Sequence, residues 1–236
     1  MKEVTPPSSA RGSQTLARGL SILTALRDAP EGLSVAALSR ELGLHRPIVT
    51  RLLATLEEQR YVERSPNLVY RLGPELISLG KAVRSDVREL AGDILRDLAG
   101  QVGATAVLVL RDGDHAVVIS VVEPAHSDLR LSFRLGSRHL LSQGAEGIAI
   151  LAGNAPRRSE RPEVRAARGL GYAVTAGEIM PGTWGLAVPV RRSSHDCDMS
   201  IGVIAAQPLD ELTTAARVKL ACAALASRLG GRSAND

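Results

Sequence analysis

The sequence predicts an α+β protein in two parts: an N-terminal winged helix-turn-helix and a C-terminal antiparallel sheet domain with flanking helices. Three observations predict it. Three short amphipathic helical patterns follow one another between Thr15 and Leu56. Two β-prone runs, split by Ser65-Pro66-Asn67, come directly after them. Beyond residue 86, apolar strands and helices interleave with no GxGxxG or GxxxxGK[ST] loop, which implies a sheet domain that binds something small rather than a nucleotide fold.

Each element has its own signal. From Thr15 to Arg27, Leu16, Leu20, Leu23 and Leu26 share one helical face, and Pro30 and Gly32 end the segment. Ser34 reads as an N-cap for the next helix, whose stripe is Val35, Leu38 and Leu42, and Gly43 as its terminating residue. The third helix places Val49, Leu52, Leu53 and Leu56 at i, i+3, i+4 and i+7. Tyr61–Arg64 and Leu68–Leu72 form the hairpin, and a connecting helix runs from Pro74 to about Val83. In the second half a helix covers about Val87–Gly100. A hairpin turns at Asp112-Gly113-Asp114, a strand is expected over Leu129–Leu135, and short helices over Ala145–Ala152 and Pro162–Arg168. Gly185–Val190 and Ser200–Ala206 are apolar strands, and Glu211–Leu229 is a final amphipathic helix. The domain boundaries read as a loose Pro/Ser/Gly-rich arm over 1–13, a winged helix-turn-helix over 14–73, a linker helix over 74–85 and a sheet domain over 86–236, the last of which the family resemblance given below implies to be an effector-binding and oligomerisation domain.

Composition narrows the function. Aromatics are 2% of the chain, which argues against stacking platforms for single-stranded nucleic acid. The net charge of +4 is spread over both halves, with ten basic and eight acidic residues through position 80, so a nucleic-acid signal must come from local placement. Cys197 and Cys222 form no CxxC, and the N-terminus lacks an apolar signal-peptide core, so a cytoplasmic chain with reduced thiols and no membrane partner is expected.

The DNA candidates sit on the third helix. With its apolar seam inward, Arg46, Pro47, Thr50 and Arg51 face out at the end that enters a major groove. Arginine can donate twice to guanine O6 and N7, and threonine can meet a thymine methyl or a phosphate. Proline costs little in a first helical turn, where backbone N–H groups have no intrahelical acceptor. That helix alone reads equally well as a core helix with solvated arginines; the hairpin behind it tips the balance. Arg64 and Arg71 on the wing, and Arg18 on the first helix, are phosphate candidates.

ARGLSILTAL, LSVAALSRELGLHRPIVTRLLATLEEQRYVER and YRLGPELISLG together resemble the IclR family of bacterial transcription regulators. The resemblance continues, more loosely, through LRDGDHAVVISVVEP, LRLSFRLGSRHLL, GYAV and VPV, and covers about residues 15–230. It implies a GAF-like effector domain behind the winged helix, and a homodimer or dimer of dimers on double-stranded operator DNA. It also implies a metabolite, often a small organic or aromatic acid, that changes DNA affinity or polymerase recruitment.

The ligand site departs from the family pattern. Where members often carry Thr-Ala-x-Gly-Lys-Ala, this chain has GAEGIA, so Gly144 and Ala145 stand at the Thr-Ala positions and Ile148 at the lysine. The usual acidic run after GYAV is Thr175-Ala176-Gly177-Glu178, Gly185 replaces a Cys or Ser, and Ile204 and Ala206 align with a Ser-x-Ser. The segment after Leu151 is short. Loss of hydroxyls and a thiol predicts a larger, more apolar site and an aromatic or apolar effector. Trp184 either supplies a flat wall there or belongs to the core. The small-molecule site candidates are thus Gly144, Ala145, Thr175, Trp184, Gly185, Ile204 and Ala206. No cofactor is implied. His195-Asp196-Cys197-Asp198 resembles a metal cluster only in composition, since adjacent residues rarely converge on one ion. His115, His126 and His139 are isolated, and no nucleophile–base motif appears. A repressor of a catabolic operon is the leading reading. An enzyme or metabolite-processing domain with a winged-helix appendage, and a winged helix that binds proteins, are the rivals.

Overall fold

The computed structural model describes residues 12–125, 134–191 and 197–232. Most of the expected arm and of the Leu129–Leu135 strand lies outside them, as do His126, His195 and Asp196. The chain divides into two compact units between Val83 and Arg84.

The first unit contains α1 (Gln14–Arg27), β1 (Leu33–Ser34), α2 (Val35–Leu42), α3 (Arg46–Glu58), β2 (Val62–Arg64), β3 (Val69–Leu72) and α4 (Glu75–Ala82). Helix starts are fixed by side chains: the Leu16 N–H donates to Ser13 Oγ and the Ala37 N–H to Ser34 Oγ, which satisfies donors with no intrahelical acceptor. Gly43 caps α2 in the left-handed region at φ 63°, and the Ser39 hydroxyl donates to the Leu44 carbonyl 2.6 Å away, bracing the turn into α3. Ile22, Leu26, Leu38, Val49, Leu53, Val62 and Tyr70 form one core. β3 is the central strand of a three-stranded sheet, paired antiparallel with both β1 and β2. β1 has only two residues, too few for an alternating pattern to show in the sequence.

One expectation fails in α1. Leu16 and Leu20 do not face the core; they are 63% and 54% exposed. The buried residues are Gly19, Ile22, Ala25 and Leu26, with Leu23 packed alongside. A Cβ on Gly19 would lie 4.0 Å from Leu52 of α3, so small residues let the two helices approach closely and turn the leucine stripe outward.

The second unit contains α5 (Ser85–Val102), β4 (Thr105–Asp112), β5 (His115–Val122), β6 (Arg138–Leu140), α6 (Gly144–Gly153), α7 (Pro162–Leu170), β7 (Ala173–Ala176), β8 (Trp184–Pro189), β9 (Met199–Ala205) and α8 (Glu211–Arg232). Its six strands form an antiparallel sheet in the order β6-β5-β4-β9-β8-β7. Strand alternation sorts the two faces. Leu186, Val188, Met199, Ile201 and Val203 pack with Val87, Leu95 and Leu98 of α5 and Val218 and Leu225 of α8. Ala187 meets α6 and α7 on the opposite face, while Val107, Val109 and Ile204 meet Ile150 of α6. The strand on the outer side of β5 is Arg138–Leu140, and β7, which begins inside the GYAV stretch, is the opposite edge strand; neither was expected from the sequence.

Candidate functional site

Arg46, Pro47, Thr50 and Arg51 are all exposed on the first two turns of α3, while Val49 and Leu53 are fully buried on its other face. Pro47 sits inside the first turn, and the Ile48 and Val49 N–H groups both return to the His45 carbonyl, so the proline removes no needed donor. The Thr50 hydroxyl donates to the Arg46 carbonyl, 3.0 Å away.

The wing is built by β2 and β3. Ser65 and Val69 close the turn through backbone and side-chain bonds, and Leu68 at its tip has φ 60°. Arg64 is exposed, its guanidinium 5.9 Å from the centre of the Tyr70 ring. Arg71 is more encumbered. Its Nε donates to the Glu31 carbonyl, its Nη2 lies 3.6 Å from the Glu31 carboxylate, and Glu63 stands opposite it across the ladder. Arg71 is thus partly committed to Glu31 while its side chain remains about half exposed. Arg18 is half-buried on α1.

In the second unit, Gly144, Thr175, Gly185 and Ile204 line one cavity, as the sequence grouped them, and Ala145 packs behind it, 3.7 Å from where a Cβ on Gly185 would stand. Two other expected members do not belong to it. Trp184 precedes Gly185 on β8, so its ring points to the opposite sheet face and is buried in the core with α5 and α8. Ala206 lies beyond the end of β9 and is exposed.

The cavity is also neither large nor apolar. Its volume is about 10 Å³, and Glu146, Glu178, Ile179, Thr183 and Gly177 complete its lining. Glu178 accepts the Gly144 N–H at 2.9 Å and is paired at 2.9 Å with Arg161, which also pairs with Glu163 and donates to the Ser142 carbonyl. Partial burial opposes ionisation of Glu178, but Arg161 and the Gly144 N–H outweigh it and hold its carboxyl below the ordinary range. Glu146 is different. It is 3% exposed, and burial pushes its carboxyl above the ordinary range, with its own N–H and His139 offsetting only part of the effect. Sequence reasoning missed Glu146 and Arg161. The available signal was one charged residue inside the otherwise apolar GAEGIAILAG.

A groove of about 290 Å³ lies elsewhere in this unit, lined by Arg111, Asp114, Asn154, Arg157, Glu160 and Arg161 among others. Much of its charge is internally matched: Arg161 to Glu178, Glu160 to Arg168 at 2.6 Å, and Arg111 to the Gly113 carbonyl. Cys197 is buried, its thiol directed at the Val190 and Met199 carbonyls. No helix among the described residues is long and apolar enough to cross a membrane.

A winged helix with an exposed, arginine-bearing third helix, followed by an antiparallel sheet unit, is the architecture of a class of transcription regulators. Residues 15–66 match the IclR helix-turn-helix domain and residues 80–163 match the bacterial transcriptional regulator IclR C-terminal domain. XynR of Escherichia coli is 30% identical over 226 residues, covering 85% of this chain and 87% of XynR. The chain belongs to the IclR family of bacterial transcription regulators. TtgV of Pseudomonas putida is 35% identical over 144 residues, 61% of this chain and 55% of TtgV, so the chain spans little more than half the length of that relative. A crystal structure of an IclR homolog complexed with 4-hydroxybenzoate, from Microbacterium hydrocarbonoxydans, superposes with a TM-score of 0.79. It is 17% identical and covers 92% of this chain and 100% of that one, a likeness of fold. The curated relatives are named as transcriptional regulators, not enzymes.

Proposed function

We propose that this protein is a cytoplasmic, ligand-responsive repressor that binds duplex operator DNA as a homodimer or dimer of dimers and controls a catabolic operon. One observation carries the reading: Arg46, Pro47, Thr50 and Arg51 stand exposed together at the N-terminal end of α3, the end that enters a major groove in this class of fold. Arg46 and Arg51 are the base readers. Pro47 and Thr50 shape the fit, and Arg18, Arg64 and Arg71 hold phosphates. Paired α3 helices in a dimer read half-sites one or two helical turns apart.

The cavity at Gly144, Thr175, Gly185 and Ile204 is the effector site in this reading. The solved IclR homolog complexed with 4-hydroxybenzoate, alike in fold, supports a small-molecule effector. An aromatic or apolar effector has less physical support here, because Trp184 faces away and the lining carries two carboxylates. Footprinting on the DNA flanking the gene, with and without candidate metabolites, tests the proposal. Protection that a metabolite relieves is expected; absence of any sequence-selective protection would refute it.

A further inference from the structure

Glu146 is a carboxylate set in a helix of Gly, Ala, Ile and Leu, and its Oε1 is buried with no hydrogen-bond partner. Such an orphaned acceptor is costly in a protein interior and calls for an explanation. The fold makes room for it deliberately. A Cβ on Gly202 of β9 would lie 2.8 Å from Oε1 and 3.0 Å from Cγ, so glycine leaves the slot the carboxylate fills. On its other side, Oε2 lies 3.4 Å from where a Cβ on Gly144 would stand. The carboxylate thus sits between sheet and helix and lines the cavity together with Glu178.

The charges facing the cavity do not cancel. Arg161 is already shared between Glu178 and Glu163. His139 on β6 acts electrostatically on Glu146, and its own Nε2 is buried and unpartnered. With Glu146 ionised, the cavity has two carboxylates against one committed guanidinium. A cavity of about 10 Å³ holds one water-sized group, the size of an ammonium. A carboxylate entering the same space would meet the Glu178 carboxylate at close range, and the Glu146 carboxylate as well unless Glu146 kept the proton that burial favours.

We propose that Glu146 determines the specificity of the effector site, and that the effector presents a small cationic nitrogen group, of the ammonium class, to the Glu146 carboxylate. This rests on the reading of that cavity as the effector site. The cation compensates the buried charge. Because burial favours the protonated carboxyl, cation binding drives Glu146 to release its proton, whereas binding of a carboxylate ligand would need that proton retained or taken up.

The test uses the full chain and matched probes that differ only in the head group: benzylamine against benzoate, and butylamine against butyrate. Calorimetry in buffers of different ionisation enthalpy reads both affinity and proton exchange. The amines are expected to bind with net proton release, and Glu146→Gln is expected to weaken them about tenfold or more. Gly202→Ala, whose new methyl occupies the slot of Oε1, should weaken them too. Preferential binding of the carboxylates, equal amine binding by wild type and Glu146→Gln, or no amine binding by a chain that still binds duplex DNA would each overturn the proposal. A DNA shift assay with the same probes separates the two readings. Glu146-dependent amine binding without any change in DNA affinity supports the cation site and refutes the effector reading. A carboxylate that binds and releases DNA does the reverse.

Discussion

Arg51 and Arg64 are both exposed arginines in the first unit, and the proposed mode of DNA binding gives them different work. Arg51 projects from α3, where a groove-bound helix meets base edges, so Arg51→Ala should remove roughly 1–3 kcal/mol of discrimination between operator and random duplex. Arg64 projects from the wing, so Arg64→Ala should weaken both duplexes alike and lower the salt slope by about one. Salt titrations of both variants check this; equal losses on both DNAs for Arg51→Ala would remove it from the base readers. At Glu146 the prediction concerns pH. Its carboxyl is raised on folding by burial, so the stability it allows is complete at pH below the ordinary glutamate value. That stability falls as pH rises, because the unfolded chain releases the proton first. Glu146→Gln should therefore raise the melting temperature more at pH 8 than at pH 4, and an equal change at both would contradict the assignment. The residue scale also shows what the sequence could not carry. Trp184 and Gly185 are adjacent on β8, so strand parity puts them on opposite faces; the sequence starts that strand at Gly185 and leaves Trp184 open between cavity wall and core, and the one-residue earlier start decides for the core. Glu146 was hidden for another reason. Whether a helical glutamate is buried depends on Gly202, more than fifty residues away, and no local pattern reports that distance.

Caps and turns were legible because they are local. Ser34 and Gly43 bracket α2 where their side-chain chemistry places them, and the turn that follows sets the direction of α3. Gly43→Ala meets no neighbour within 4 Å, so its effect isolates the left-handed backbone, roughly 1–2 kcal/mol. Ser34→Ala should lose about 1 kcal/mol through the bond to the Ala37 N–H. Denaturant titration followed by helical circular dichroism measures both; Trp184, the only tryptophan, reports on the second unit. The face of α1 was misread because bulk was taken as the guide to burial, when Gly19 and Ala25 gain more by close approach to the neighbouring elements. In the second unit, Arg228 of α8 forks onto Asp93 of α5 at 2.7 and 2.9 Å and lowers the Asp93 carboxyl to about 2. A lowered carboxylate contributes stability above its ordinary value of 3.8, and that contribution fades as pH falls from there toward 2. Asp93→Asn should flatten the acid side of the stability profile over that window, with an effect kept small by solvent exposure.

At the scale of the molecule, the order of elements was readable because periodicity and turn chemistry persist over whole segments, whereas sheet order and cavity content depend on distant pairings. β1, β6 and β7, the short or peripheral strands, were the elements the sequence did not reveal. Sequence-selective reading of duplex DNA, the work proposed for α3, belongs to the first unit. The most direct measurement is selection of binding sites by the full chain from a pool of random duplexes, repeated with Arg46→Ala and Arg51→Ala. Enrichment of a two-fold-related site is expected, its half-sites about one or two helical turns apart, with preference lost at specific bases in each variant. Recovery of no preferred sequence, or the same preferred sequence from wild type and both variants, would contradict it.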